Sequence, residues 1–153
     1  MEELLMTFSD FFTEVSDVQG QVEHLRPAGL YSDRIYSPVV VASGNVKTIY
    51  LSSQVPLTES GEVVGEGDIA AQMEQVLRNL EISLAAARAT VEHVVKWTLY
   101  MVHGHSPDPA YEVFLRFWGQ RPNPPALTIV FVAGLSHEDF LIELDATAVV
   151  PQP

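Results

Sequence analysis

Apolar side chains recur along this chain with two different periods, and where the period changes the expected element changes. From Glu2 to Val18, Leu4, Leu5, Phe8, Phe11, Phe12, Val15 and Val18 fall at helical spacing with acidic residues mostly between them, which predicts an amphipathic helix. That helix either covers its own domain or oligomer, or docks a partner. Gly20 to Asp33, with Pro27 and Gly29, reads as a connector. Ile35 to Ala42 and Val46 to Ser52 are β-branched and aromatic runs flanking Ser43-Gly44-Asn45, the pattern of a β-hairpin. Pro56 to Asp68 is polar and glycine-rich, a loop with room for a small strand at Glu62 to Val64. Asp68 is placed to cap a helix whose stripe is Ile69, Met73, Val76, Leu77, Leu80 and Leu84, with Gln72, Glu74, Gln75, Arg78 and Glu81 largely off it. Val94 to Val102 reads as a strand. Pro107 to Trp118 reads as a helix repeating Tyr111, Phe114, Leu115 and Trp118 on one face, ended by Pro122, Pro124 and Pro125. Leu127 to Val132 and Phe140 to Val150 complete the set as strands.

The order β-β-α-β-α-β-β has too few helices to cover both faces of its strands. It predicts an α+β domain, a mixed sheet with both helices on one face. The opposite face then needs a cover that the chain itself supplies only through the amino-terminal helix, so oligomerisation is expected. The 153 residues fit one domain over 31–153, preceded by a helical extension and connector over 1–30. With 47% hydrophobic and 18% charged residues the chain can bury a core. Its formal charge of -12, from 8 Lys and Arg against 20 Asp and Glu, argues against nucleic acid or an anionic membrane as partner. The absence of Cys removes disulfides, thiolate metal sites and Cys nucleophiles. No apolar run approaches the ~20 residues of a membrane span, and the acidic amino end is unlike a secretory signal. A cytoplasmic or similarly reducing location is expected.

Familiar catalytic signatures are missing: there is no G-x-G-x-x-G after a strand, no G-x-x-x-x-G-K-[ST], no G-x-S-x-G and no H-E-x-x-H. His103 and His105 flank Gly104 without a third ligand nearby, so no metal site is expected, and His24, His93 and His137 read as solvated loop residues. Gly61 to Gly67 is acidic and would repel phosphate. Glu143 and Asp145 alternate with the apolar Ile142, Leu144 and Ala146, which places both carboxylates on one face of a strand. That face is either simply wet or lines an intersubunit cleft, where burial would raise a carboxyl toward the range useful for proton transfer.

An ordered set of short motifs runs through the domain: Tyr36-Ser37-Pro38, Gly44-Asn45, Ile49-Tyr50-Leu51-Ser52-Ser53-Gln54-Val55-Pro56, Gly65, Asp68-Ile69-Ala70-Ala71-Gln72, Leu77-Arg78-Asn79-Leu80, Val94-Val95-Lys96-Trp97-Thr98-Leu99-Tyr100, Pro125-Ala126 and Ile142-Glu143-Leu144-Asp145-Ala146. From about Tyr36 to Val150 the chain resembles the RidA/YjgF family of endoribonuclease L-PSP-like reactive intermediate deaminases. The resemblance implies a chorismate-mutase-like α+β fold and a homotrimer with inward-facing sheets and three intersubunit clefts for small molecules. It also implies cofactor-free hydrolysis of enamines and imines, such as 2-aminoacrylate, to 2-keto acids and ammonia. By the same resemblance Tyr36 is the tyrosine of the site, Ser53 provides a backbone amide toward the substrate carboxylate, and Glu143 positions water.

One family residue is absent. Where the family has Pro-Ala-Arg, with the arginine gripping the substrate carboxylate, this chain has Pro125-Ala126-Leu127 followed by Thr128. A bidentate arginine-carboxylate pair contributes on the order of 1.5 to 3 kcal/mol, so its loss weakens an acidic imine roughly tenfold to more than a hundredfold. Arg121 is either a substitute that swings in or a solvated loop residue. Arg88 stands at a family glycine, implying a turn that differs or is strained by about 1 kcal/mol. Asp108 stands where Asn is common, and Trp118 and the Pro122 to Pro125 loop are expected at the cleft mouth. Tyr36, Ser53, Leu127 and Thr128 are therefore the expected binding residues and Glu143 the catalytic one, with no cofactor and no metal. Two functions follow as expectations. One is a trimer binding a small neutral or cationic, partly apolar metabolite, with deaminase or other hydrolytic action through Glu143. The other is a non-catalytic sensor or scaffold that docks partners through the amino-terminal helix.

Overall fold

In a computed structural model the described residues are 18–153, so the helix expected over Glu2 to Val18 lies, except for Val18, outside them. Six strands and two α-helices follow in the order β1 (Gln21–Leu25), β2 (Val39–Ser43), β3 (Val46–Gln54), α1 (Ile69–Ala86), β4 (Val94–Val102), α2 (Asp108–Trp118), β5 (Ala126–Val132) and β6 (Ile142–Pro151). A four-stranded sheet has the order β3-β6-β4-β5, antiparallel except for the parallel β4-β5 pair, and β1 and β2 pair separately. This is the expected mixed α+β arrangement.

Two local expectations are corrected. The segment read as a connector begins with β1, whose alternating pattern is only five residues long and easily lost among the polar residues around it. The two runs read as a hairpin are both strands, but β2 pairs with β1 and β3 with β6. The reason lies at Gly44-Asn45. Gly44 has φ +73°, and a Cβ there would sit 2.4 Å from the Gln19 carbonyl oxygen. Asn45 N–H donates to Val18 O at 2.7 Å, and Asn45 O accepts from Gln152 N–H at 2.9 Å. Chain from both ends of the domain therefore occupies the space a hairpin partner would need.

Helix α1 forms as its pattern dictates. Asp68 accepts from Ala70 and Ala71 N–H at 3.0 and 3.1 Å, and all six stripe residues are buried. Gln72 and Gln75, read as off the stripe, are buried as well. Gln72 donates to Gly65 O at 3.1 Å and Asp139 O at 2.7 Å and accepts from Leu141 N–H at 2.7 Å, so this buried amide satisfies three backbone groups. It clamps the segment entering β6 to α1. At its other end α1 closes with Arg88 N–H bonding Ala85 O and Ala89 N–H bonding Leu84 O, both at 2.9 Å, a Schellman motif. Arg88 takes φ +55° to make it, in agreement with the strained-turn expectation.

Both helices lie on one face of the larger sheet. That face presents Ile49 and Leu51 of β3, Trp97 and Met101 of β4, Leu127 of β5, and Ile142, Leu144, Ala146 and Ala148 of β6 to a common core. Trp97 packs edge-on against Phe114 and Trp118 with centroids 5.2 and 5.8 Å away, and its indole N–H has no hydrogen-bond partner among the described residues. Tyr111 departs from the expected apolar face of α2, since it is exposed while Ala110 and Val113 are buried.

Candidate functional site

The face of the sheet turned away from the helices is polar. Register places Tyr100 opposite Glu143 and Thr98 opposite Asp145, so the alternation of β6 directs both carboxylates away from the buried Ile142, Leu144 and Ala146. Tyr100 donates its hydroxyl to Asp145 Oδ2 at 3.2 Å, and the negative charge of Asp145 is the main influence that pushes the Tyr100 phenol above its ordinary range. Lys96 donates to Thr128 Oγ1 at 2.5 Å and to Trp97 O at 3.0 Å. Partial burial lowers its pKa, and Asp145 partly opposes that shift.

Ser53 comes level with Asp145 because β3 bulges, and it borders a groove against α1 lined by Gln75, Arg78, Asn79 and Ser83. Leu51 pairs with Ala146 and Gln54 with Leu144, leaving Ser52 and Ser53 together opposite Asp145. A bulge takes one residue out of the ladder, which suits a backbone amide that must face a ligand. Ser53 and Glu143 thus belong to one end of the β3-β6 pair.

Tyr36 and Leu127 belong elsewhere. Ser37 N–H donates to Pro125 O at 3.1 Å and its hydroxyl to Pro124 O at 2.6 Å, tying the Tyr36 segment to the entry of β5. The Tyr36 hydroxyl donates to Tyr31 O at 3.1 Å. Leu127 pairs with Trp97 and shares its helix-side face, whereas Thr128 points to the polar face beside Lys96. Strands β3 and β5 are the two edges of the sheet. At ~4.8 Å per strand, Ser53 and Leu127 are about 14 Å apart across the sheet. Within a single chain alternation sends the Leu127 and Glu143 side chains to opposite faces of the sheet.

On the helix side, Leu127 lines a cavity of about 210 Å³ between α2 and strands β4 and β5. Buried Met73, Trp97, Met101, Phe114 and Leu144 form its floor, and exposed Pro107, Asp108, Tyr111 and Ile129 its rim. No Lys, Arg or His contributes to the lining. Asp108, the first residue of α2, is its one acid among the described residues. Trp118 does not reach this mouth; it is buried against Trp97 and donates its indole N–H to Arg121 O at 2.9 Å. Arg121 does not reach it either. Its guanidinium donates to Phe117 O and, at 3.0 Å, to Trp118 O, and lies 5.7 Å from the Phe117 ring centroid. That is the carboxyl end of an 11-residue helix, about 15 Å from Asp108.

Among the described residues no three His, Cys, Asp or Glu side chains gather as metal ligands, and no helix is long and apolar enough to cross a membrane. His24, read as a solvated loop residue, lies in β1, where Nδ1–H donates to Pro124 O and approaches Ser37 Oγ, each at 3.1 Å. Burial lowers its pKa. Sequence reasoning passed over Lys96 and Tyr100, although with Thr98 they carry the same period-2 signal that singled out Glu143 and Asp145. It also passed over Gln72, which no local pattern marks as buried.

Comparison with known proteins fits this geometry. The chain is similar to a RutC family protein of Pyrococcus horikoshii, 33% identical over 124 residues, covering 80% of this chain and 89% of that protein. It is 28% identical over 114 residues to the human protein named 2-iminobutanoate/2-iminopropanoate deaminase, covering 74% of this chain and 79% of the human one. Among solved structures, a Rid family protein of Yersinia pestis superposes with a TM-score of 0.74 at 30% identity, over 84% of this chain and 98% of that one. The family model described as Endoribonuclease L-PSP matches residues 24–150. With its motifs, its mixed sheet and these matches in agreement, the chain belongs to the RidA/YjgF family.

Proposed function

We propose that this chain assembles as a homotrimer and binds a small, non-acidic metabolite in clefts between subunits, where it hydrolyses an imine or enamine without a cofactor. The observation that carries the reading is Leu127: at the position of the family's carboxylate-binding arginine stands an aliphatic side chain lining an apolar cavity with no cationic side chain in its wall among the described residues. The division of site residues within one chain supports the assembly. Leu127 and the Tyr36 segment lie along the β5 edge, Ser53 lies on the β3 edge and Glu143 on the polar face of β6, and a second copy would bring one set against the other. The polar sheet face, with Tyr50 83% exposed, is the surface such assembly would cover.

In the proposed chemistry Glu143 accepts a proton from water as the water oxygen adds to the C=N carbon. The proton passes to nitrogen to give a carbinolamine; its hydroxyl proton then moves to nitrogen as the C–N bond breaks and the C=O bond forms, and a carbonyl compound and ammonia leave. The human relative is named as an imine deaminase, which makes this reaction class the natural one to test. The test compares ammonia release from 2-aminoacrylate, generated in the assay, by this protein, its Leu127→Arg variant and an arginine-bearing relative. The wild-type chain is expected to lag the relative by at least tenfold, with Leu127→Arg recovering part of the gap and Glu143→Gln abolishing turnover. A wild-type rate equal to the relative's overturns the non-acidic substrate class. Light scattering that gives one copy in solution overturns the cleft.

A further inference from the structure

The cavity under α2 carries more information than the loss of an arginine. A cavity of ~150 Å³ lined by Leu, Ile and Phe stays dry and admits benzene. This one measures about 210 Å³ and has a comparable lining, so it has space for a six-membered ring and a short substituent. Its floor offers Met73, Met101 and Leu144 to an apolar group, and Trp97 and Phe114 add aromatic surface. The charged group at its edge is Asp108, on an exposed rim beside Tyr111 and opposite Ile129. An anion entering here would meet a carboxylate and find no cation in the lining. A cation would meet Asp108 and the Tyr111 ring, either of which attracts positive charge. The charge of -12 on the whole chain raises the local concentration of cations and lowers that of anions.

We propose that this cavity binds a small organic cation: an ammonium or iminium ion carrying a ring-sized apolar group, with the group under α2 and the charged nitrogen at Asp108. The inference rests on the reading that the Leu127 cavity is part of the ligand site, and it names the ligand class of that site.

The experiment measures equilibrium binding to the full chain at pH 7 by methyl NMR, following the Met73 and Met101 methyl groups. Three probes share one ring: benzylamine, benzyl alcohol and benzoate. Benzylamine is expected to bind two- to fivefold more tightly than benzyl alcohol, and benzoate at least tenfold more weakly than benzylamine. Asp108→Asn is expected to remove the preference for the amine while leaving benzyl alcohol unchanged. Leu127→Arg is expected to invert the order of benzylamine and benzoate. Benzoate binding as tightly as benzylamine to the wild-type chain overturns the proposal. So does a preference for the amine that survives Asp108→Asn, or shifts absent from both methionines at millimolar probe. Binding needs no turnover, so a chain that holds benzylamine but releases no ammonia from any imine retains this inference and loses the hydrolase reading. A chain that turns over acidic imines at a relative's rate and binds benzoate loses both.

Discussion

Replacing Arg88 with glycine is expected to leave the protein more stable than replacing it with alanine, although glycine ordinarily weakens a helix. Arg88 holds φ +55° because the last turn of α1 needs that conformation to bond Ala85 O and Leu84 O and to bring Ala89 under Leu84. For a residue with a Cβ the left-handed region costs about 1 to 2 kcal/mol, which glycine does not incur. Two effects work against the substitution. Glycine loses more freedom on folding, about 0.5 to 1 kcal/mol, and the arginine charge near a helix carboxyl end contributes about 0.3 to 1 kcal/mol. The informative comparison is therefore Arg88→Gly against Arg88→Ala, since both lose the charge and only glycine relieves the strain. The glycine variant is expected to exceed the alanine variant by about 1 kcal/mol. That is about 2–4 °C in Tm for a chain of this size, measured at fixed protein concentration, and a higher urea midpoint with unchanged m-value. In an unstrained position the order would be reversed. An alanine variant as stable as the glycine variant refutes the reasoning.

Gln72→Leu keeps the side chain buried but leaves Gly65 O, Asp139 O and Leu141 N–H without their partner. At about 1–3 kcal/mol per orphaned group the loss should reach about 3 kcal/mol or more in denaturant unfolding, and Tm should fall by about 6–12 °C. His24 gives a pH dependence whose sign follows from burial. Its folded-state pKa lies below 6.5, so the unfolded chain takes up the proton first. The contribution of His24 to stability is complete above pH 6.5 and is lost as pH falls from there toward the folded-state pKa. His24→Gln is expected to flatten the decline between pH 7.5 and 5.5 relative to wild type, and parallel curves would show that His24 is not its source.

The parts of the fold legible in the sequence are those where a local pattern has a local cause. The α1 stripe, the Asp68 cap and the alternation at Glu143 and Asp145 each follow from a few neighbouring residues, and the structure has all three. The hairpin failed because the spacing at Gly44-Asn45 is equally compatible with a turn between partners and a bend between two sheets. What decided was chain from residues 18–19 and 152, remote in sequence. Gln72 was missed for the same reason, since its three partners lie 7 to 69 residues away. For the candidate site residues, alternation is legible in the sequence and their arrangement across strands is not. Alternation along β5 and β6 fixes which face each side chain takes within its own strand, yet only the β4-β5 and β4-β6 registers reveal that Leu127 and Glu143 take opposite faces.

Geometry also argues against three cations, Lys96, Arg116 and Arg121, as replacements for the absent arginine. Lys96 is on the wrong face, bonded to Thr128 and Trp97 O. Arg116 reaches Glu74 at 3.4 Å on the outer surface of the helices. Arg121 is the nearest in sequence, and its guanidinium serves the last carbonyls of α2, Phe117 O and Trp118 O. Swinging it toward Leu127 would break charge-assisted bonds to two carbonyls, at a cost of about 1.5–3 kcal/mol each. A new pair with a ligand carboxylate would return about 1.5–3 kcal/mol in all, so the exchange yields no net affinity even before the distance along α2 is counted. Arg121→Ala is accordingly expected to lower the stability of the α2 terminus while leaving the affinity for benzoate and for benzylamine within twofold of wild type. A selective loss of benzoate binding in that variant would show that the cation had moved after all.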